Sequence, residues 1–238
     1  MEQPASPSEA KSTLAIVALV LGIVGVCFFP LGLIAAVLGI VALVRLPSGH
    51  SAKGFAVASI ALPVISVPIT GILAAIAIPN FIRFQERSKQ AECKSNLKAL
   101  YVAERSYFAE HDHYTEDFSE LGWVPERGNR YAYSLSPHGE ALERGGGAAA
   151  PQHYSRIGAD LGRFPKLEHV LARLPKAAAG DVPVGEAGQC PRCSFAAVCA
   201  GEPTNALDTW SISTDERAAG PETIPGGAPY HDSEPGRF

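Results

Sequence analysis

The sequence predicts a membrane α-helical anchor joined to an α+β domain, in which a long N-terminal helix packs on a small antiparallel sheet. Two observations predict the anchor: residues 14–44 and 54–82 are runs without a charged side chain, and uncharged apolar runs longer than about 18 residues are typical of membrane spans. A third observation predicts the globular part. Residues 122–238 hold 16 glycines and 12 prolines, which favours loops and short strands, and helix before strands is the order of an α+β domain.

The distribution of charge excludes two classes of protein. Residues 1–82 carry three basic and two acidic side chains, and residues 83–238 carry 17 basic and 22 acidic ones. A mildly acidic outer domain lacks the positive field that attracts phosphates, so no nucleic-acid partner is expected. The uncharged runs exclude an ordinary soluble protein, and we expect the lipid bilayer to be a partner.

The N-terminal part is predicted to be a membrane domain preceded by a short polar segment. Residues 1–12 are polar and predicted to be disordered, and residues 13–53 are predicted to lie in the membrane. Pro30, in the middle of the first apolar run, favours a break, so two interpretations stay open: one kinked span, or a hairpin of two short helices. Positive charges obey the positive-inside rule in both cases and leave the orientation open. Cys27, in the same run, is interpreted as inert packing.

Residues 54–110 are predicted to form one long helix, membrane-embedded first and amphipathic afterwards. At ~1.5 Å per residue, the apolar run is longer than one span requires, so the helix should project from the membrane. From residue 83 onward, apolar side chains recur at roughly helical spacing, with charged side chains between them. The residues predicted to pack this helix on the sheet are Phe81, Phe84, Leu97, Leu100, Tyr101, Tyr107 and Phe108.

Residues 111–214 are predicted to form a globular region of three or four antiparallel strands with Gly/Pro-rich insertions. Residues 164–180 have apolar side chains at helical spacing, and residues 144–152 are predicted to be a surface loop. Residues 215–238, rich in glycine, proline and acids, are predicted to be a flexible tail. The segments with strand patterns are 130–136, 193–201 and 208–214.

The string GILAAIAIPNF (Gly71–Phe81) resembles the second half of the N-terminal helix of type IV pilins and type II secretion pseudopilins, and the resemblance continues to residue 121. It implies a membrane helix that continues into an amphipathic half lying on a small antiparallel sheet. The implied role is a structural or interaction protein of a type IV pilus or type II secretion system, with pilin or secretion-system subunits as partners. The implied location is the bacterial cytoplasmic membrane, with the C-terminal domain outside. Residues 13–62 resemble a bacterial membrane domain of unknown function, which makes the expected protein multi-pass.

The first half of the pilin motif departs from the family pattern. Prepilins have a short basic leader, then a Gly-Phe cleavage point and a Glu five residues into the mature chain. Lys53-Gly54-Phe55 is superficially similar, but Ser59 stands at the fifth position after Gly54, and the spacing to Gly71 is too long. Processing by a prepilin peptidase is therefore not expected. A pilin-like domain on a permanent membrane anchor is favoured over a filament subunit.

The chain has five cysteines, and four of them are disulfide candidates because extracytoplasmic domains favour disulfides. These candidates are Cys93, Cys190, Cys193 and Cys199, and four cysteines allow three pairings. Zinc binding by Cys190, Cys193 and Cys199 is an alternative, with His153, His169 or Cys93 completing the four ligands that a closed site needs. A redox pair of Cys190 and Cys193 is a further alternative, which the missing strand-then-helix context disfavours.

No hydrolytic or phosphate-binding motif occurs in the sequence, so no enzyme activity, catalytic residue or cofactor is predicted. The carboxylates Glu116, Asp117 and Glu120 are interpreted as a solvated face. Two alternative functions stay open: an envelope-anchored domain that binds a ligand or partner unrelated to filaments, and a cysteine-based metal or redox protein. The sequence does not indicate an oligomeric state.

Overall fold

The structure, a computed structural model, describes residues 7–25, 29–45, 52–147, 149–203 and 206–232. It divides into two compact units, Met1–Ile82 and Arg83–Phe238. Cys27 lies outside the described residues, so its predicted packing role stays a prediction.

The first unit contains apolar helices. Helix α1 is Pro7–Gly25, helix α2 is Phe29–Arg45, and helix α3 begins at Lys53 and ends at His111. Residues 7–12, for which disorder was predicted, belong to α1 in the structure. Pro30 is the second residue of α2 and so lies in the first turn of a helix, where the proline nitrogen would have no helical partner. Gly25 lies against the backbone of Gly32, and Ala15 and Ala42 share one buried cluster. These contacts are those of an antiparallel hairpin, which favours the hairpin over the single kinked span.

Helix α3 contacts the hairpin at Ser59, whose side chain is fully buried. A Cβ added at Gly22 would lie 3.4 Å from the Cα of Ser59, and one at Gly39 would overlap the Ser59 hydroxyl. The two glycines therefore let α1 and α2 approach α3 closely, as small residues do where membrane helices meet.

One helix of the described residues, α3, is long and apolar enough to cross a membrane. The apolar parts of the hairpin, Thr13–Gly25 and Leu31–Arg45, are shorter. Among the described helices, α3 alone is long enough to span a membrane, so the structure does not support the multi-pass prediction.

In the second unit, α3 is followed by the short helix α4 and a mixed, seven-stranded sheet. The strand order is β11-β8-β7-β1-β3-β2, with β6 paired to β7. Every pair is antiparallel except β2 with β3, which is parallel. The remaining strands form two small ribbons, β4 with β5 and β9 with β10. The bounds are α4 Phe118–Leu121, β1 Tyr131–Ser134, β2 Ala141–Arg144, β3 Arg156–Asp160, β4 Ala177–Ala178, β5 Val182–Pro183, β6 Gly185–Ala187, β7 Ser194–Gly201, β8 Asp208–Ser213, β9 Arg217–Ala219, β10 Glu222–Ile224 and β11 Tyr230–His231.

The α+β fold class is confirmed, and the sheet is larger and less regular than the small antiparallel one predicted. Its central strands are buried on both faces. Tyr131 and Tyr133 of β1 face the core that contains α3, whereas Ala132 packs with Val170 of a 3-10 helix on the opposite face. This 3-10 helix, Pro165–Arg173, stands where a longer helix over 164–180 was predicted.

The C-terminal tail differs from its prediction as a flexible segment, because residues 217–231 contain the three strands β9, β10 and β11. Strand β11 pairs with β8, and the ring of His231 stacks on Trp210 with centroids 4.4 Å apart. The Ser211 hydroxyl donates to Asp232 Oδ1 at 2.7 Å. These contacts fix a segment whose composition alone predicts a loop.

The predicted packing residues of α3 divide into three groups. Leu97 and Leu100 are fully buried, and Tyr101 and Phe108 are partly buried against the same core. Tyr107 is partly buried and stacks on the ring of His111, with centroids 4.1 Å apart. The prediction is wrong for the two remaining residues, because the α3 part of this core begins at Cys93, farther along the helix. They are Phe81 and Phe84, which are 60% and 68% exposed.

Candidate functional site: the apolar helix and its junction with the sheet

The apolar part of α3 exposes large hydrophobic side chains around its circumference. Burial of such side chains is favourable by ~25 cal/mol per Å², so this surface is stable in lipid or against other apolar helices. Three prolines lie inside the helix, at Pro63, Pro68 and Pro79, as membrane helices tolerate. The exposed residues are Phe55, Val57, Val64, Ile65, Val67, Ile69, Ile72, Leu73, Ile76, Ile78, Phe81 and Ile82.

Farther along, α3 is fixed to the sheet at three positions spaced three residues apart. Residues three or four apart lie on one helix face, so a single face of α3 meets β8, β7 and β1 in turn. The outer two contacts are hydrogen bonds, of 3.4 Å and 2.7 Å, and the middle contact is a disulfide. The contacts are Gln90 Nε2 with Asp208 Oδ1, Cys93 with Cys199, and Asn96 Nδ2 with the Tyr133 hydroxyl.

All four cysteines proposed for disulfides are paired in the structure. Cys93 and Cys199 are buried, and their Cα atoms are 6.5 Å apart. Cys190 and Cys193 close a tight loop, with Cα atoms 4.5 Å apart. The zinc alternative is not compatible with these pairs, because Cys199 is bonded to Cys93 and disulfide sulfurs are not the thiolates that bind metals.

The carboxylate of Asp208 is the polar centre of the junction. Its Oδ2 accepts hydrogen bonds from the Tyr131 hydroxyl at 2.6 Å and from Trp210 Nε1 at 2.9 Å. Its Oδ1 lies 2.6 Å from His231 Nε2. Burial alone raises the pKa of Asp208, but hydrogen bonds from His231, Tyr131 and Trp210 outweigh burial and hold the pKa below its ordinary value. Sequence reasoning missed this cluster because His231 lies in the segment predicted to be flexible.

The chain turns sharply where α3 ends. Asp112 has a positive φ of 59°, a left-handed conformation in which aspartate is enriched. After this turn, the backbone N–H of Tyr114 donates to Glu186 at 2.8 Å, and that of Thr115 donates to the buried Glu104 at 3.3 Å. These two carboxyl groups hold the connection between helix and sheet. The sequence predicts the break in the helix but not the acidic side chains that secure it.

Comparisons with known proteins agree with this architecture. The family model described as Type IV pilin PilA matches residues 84–209. The chain is 38% identical over 201 residues to the type IV major pilin protein PilA of Myxococcus xanthus (strain DK1622). That alignment covers 75% of this chain and 90% of the relative. The findings do not favour an unrelated envelope-binding domain or a cysteine-based metal or redox protein. The chain belongs to the type IV pilin PilA family and is a membrane-anchored, pilin-like structural protein associated with a type IV pilus.

Proposed function

We propose that α3 holds the chain in the bacterial cytoplasmic membrane and that residues 83–238 lie outside it, where they assemble with other pilus subunits. The observation that carries this proposal is the exposed apolar surface of α3 between Phe55 and Ile82. Such a surface needs lipid or further apolar helices around it. The disulfides agree with an oxidising compartment for the second unit. The proposed role is structural, without catalysis.

We further propose that the chain is a permanently anchored partner of the pilus machinery. Ser59 stands where the pilin resemblance implies a glutamate, and its side chain is buried close to Gly22 and Gly39 of the hairpin. A buried, neutral serine carries no charge with which to pair with a neighbouring subunit. This observation favours an anchor over a subunit that leaves the membrane for a filament.

A filament subunit is the second candidate. The observation that favours it is the extent of the similarity, since 90% of a protein named a major pilin aligns with this chain. The two candidates differ in where the protein is found. An anchored partner stays in membrane fractions, whereas a filament subunit appears in fibres sheared from the cell surface.

Topology reporters test the location. Alkaline phosphatase fused after Phe238 should be active, because the enzyme folds only outside the cytoplasmic membrane. The matched control is the same fusion after Arg45, before α3, which should be inactive. An inactive fusion after Phe238, in a cell where the chain is present in the membrane, would refute the proposed orientation.

Shearing tests the choice between anchor and subunit. Surface fibres are sheared and collected, and the chain is quantified by immunoblotting in fibres and in membranes. Detection only in membranes supports the permanent anchor. Detection in the fibre fraction, at a level comparable to a known pilin, overturns the anchor and establishes the filament subunit.

A further inference from the structure

A cluster of three side chains with metal-binding atoms lies on the second unit, apart from the contacts of residues 90, 93 and 96 with the sheet. Asp117 and Glu120 belong to the α4 segment, and His153 lies in the connection between β2 and β3. One carboxylate or imidazole atom of each lies within 4.8 Å of the others. The ligand atoms of a tetrahedral zinc ion lie about 3.3–3.6 Å apart, given bonds of ~2.0–2.2 Å. Small side-chain movements therefore bring the three atoms onto one ion.

The carboxylate of Asp117 is held with one oxygen toward the imidazole. Its Oδ1 accepts hydrogen bonds from the backbone N–H groups of Ser119 at 2.8 Å and Tyr154 at 3.2 Å. Its Oδ2 is therefore left facing His153 Nδ1, at 2.5 Å. These hydrogen bonds fix the orientation of the carboxylate, as the outer contacts of a metal ligand do.

The carboxylate of Glu120 is also held by groups outside the cluster. Its Oε2 accepts hydrogen bonds from the Thr115 hydroxyl at 3.0 Å and from the Tyr107 hydroxyl at 3.4 Å. Outer groups of this kind orient metal ligands and raise their affinity. The His153 side chain is 65% exposed, so an ion can reach the cluster from solvent.

We propose that Asp117, Glu120 and His153 bind a divalent transition-metal ion of the Zn²⁺ type, with water completing its coordination. An imidazole favours zinc-like ions over Mg²⁺ and Ca²⁺, and calcium takes six to eight oxygen ligands, more than this cluster offers. Two carboxylates balance the charge of a divalent ion. The bound ion would join the α3–β1 connection to the β2–β3 connection and so stabilise the second unit.

The same unit contains a histidine–carboxylate pair without a second carboxylate, and this pair serves as the control. His169 Nε2 lies 2.9 Å from Glu202 Oε1, and Arg173 lies 2.8 Å from the same oxygen. A guanidinium stands there in place of a second carboxylate. A histidine–carboxylate ion pair is thus present at both places, but of the two places the one at His153 has the second carboxylate that a metal ion needs.

The test is calorimetric titration of the full-length chain in detergent micelles with ZnCl₂ at pH 7.5. The wild type should bind Zn²⁺ at one main site with micromolar affinity, and its thermal unfolding midpoint should rise with Zn²⁺ by mass action. His153→Ala and Glu120→Gln, both at exposed positions, should weaken binding by ~10-fold or more and abolish the rise. His169→Ala should keep the wild-type affinity.

Three results would overturn the proposal. One is equal Zn²⁺ affinity of His153→Ala and wild type, because the ion would then bind elsewhere. Another is a wild type that gives neither binding heat nor a shift in its unfolding midpoint at millimolar Zn²⁺. The third is an equal response to CaCl₂, because a site for any divalent cation is not the one assigned.

Discussion

The disulfide between Cys93 and Cys199 should stabilise the second unit far more than the disulfide between Cys190 and Cys193. Both bonds lie in the same unit, so their removal can be compared in one protein. The perturbation is a pair of double variants, Cys93→Ala/Cys199→Ala and Cys190→Ala/Cys193→Ala. Alanine avoids placing an unpaired hydroxyl group at Cys93 and Cys199, which are fully buried.

The sequence separation of each pair sets the expected magnitude. A disulfide restricts the unfolded chain by an amount that grows with the loop it closes. The separations are 106 residues for Cys93–Cys199 and 3 residues for Cys190–Cys193. The loop-entropy relation gives about 4.8 kcal/mol for the long loop and less than about 2 kcal/mol for the short one. Loss of the two sulfurs from the core adds to the first value.

Urea unfolding in detergent micelles, followed by tryptophan fluorescence, measures the difference. The chain has two tryptophans, Trp123 and Trp210, and both pack against the core of the second unit. The signal therefore reports on that unit. The first double variant should lose at least twice as much free energy of unfolding as the second. Equal losses, or a larger loss for Cys190→Ala/Cys193→Ala, would refute the loop-entropy reasoning.

Three more predictions concern the polar junction, the tail and the hairpin. Asp208→Ala leaves the buried tyrosine and tryptophan donors of its carboxylate unpaired and should lower the free energy of unfolding by about 2–4 kcal/mol; a loss below about 0.5 kcal/mol in urea unfolding would contradict it. Burial raises the pKa of Asp232 to about 6 from 3.8. The free energy of unfolding of the wild type, relative to that of Asp232→Asn, should therefore fall by up to about 3 kcal/mol as the pH rises from about 4 to 6. Above pH 6 the difference should stay constant. Unfolding at stepped pH checks this, and a pH-independent difference would exclude it. Gly25→Leu should lower the midpoint temperature at which helix is lost in micelles, because the new side chain would overlap the backbone of Gly32. The control Gly54→Leu should leave this midpoint unchanged, because a Cβ at residue 54 has open space around it. Equal midpoints for the two variants would argue against the hairpin contact.

The spacing of apolar residues along the sequence predicted those helices and strands in which buried side chains recur at regular intervals. The uncharged run and the amphipathic stretch after it predicted one helix ending near residue 110, and α3 ends at His111. The strand patterns at 130–136, 193–201 and 208–214 match β1, β7 and β8. These strands are rich in aromatic or small apolar side chains, which fit a sheet whether one or both of its faces are buried.

Elements fixed by distant partners could not be predicted in this way. Strand β11 exists because it pairs with β8 and because His231 meets Asp208, 23 residues earlier. Its own sequence, among glycines and prolines, indicates a loop. The parallel pairing of β2 with β3 likewise depends on the path of the connection between them, which carries no periodic signal.

The same distinction applies to the candidate sites. The four disulfide cysteines could be named from the sequence, but their pairing could not, because it depends on which strand lies under α3. From the sequence alone, Asp117 and Glu120 fit a solvated surface as well as they fit a metal site. Only the fold brings His153, from another connection, within reach of both.

The spacing of the junction contacts explains how one helix fixes its position on three strands. Residues 90, 93 and 96 of α3 each meet a different strand, and neighbouring strands are about 4.8 Å apart, close to the ~4.5 Å rise of three helical residues. Three residues also turn the helix by about 300°, which shifts successive contacts by only about 60°, so a helix crossing the strands meets each new strand with nearly the same side. Because the middle contact is covalent, α3 cannot advance by one residue without breaking the Cys93–Cys199 bond, and the hydrogen bonds of Gln90 and Asn96 oppose rotation about it. The disulfide thus sets the register, and its two neighbours set the orientation.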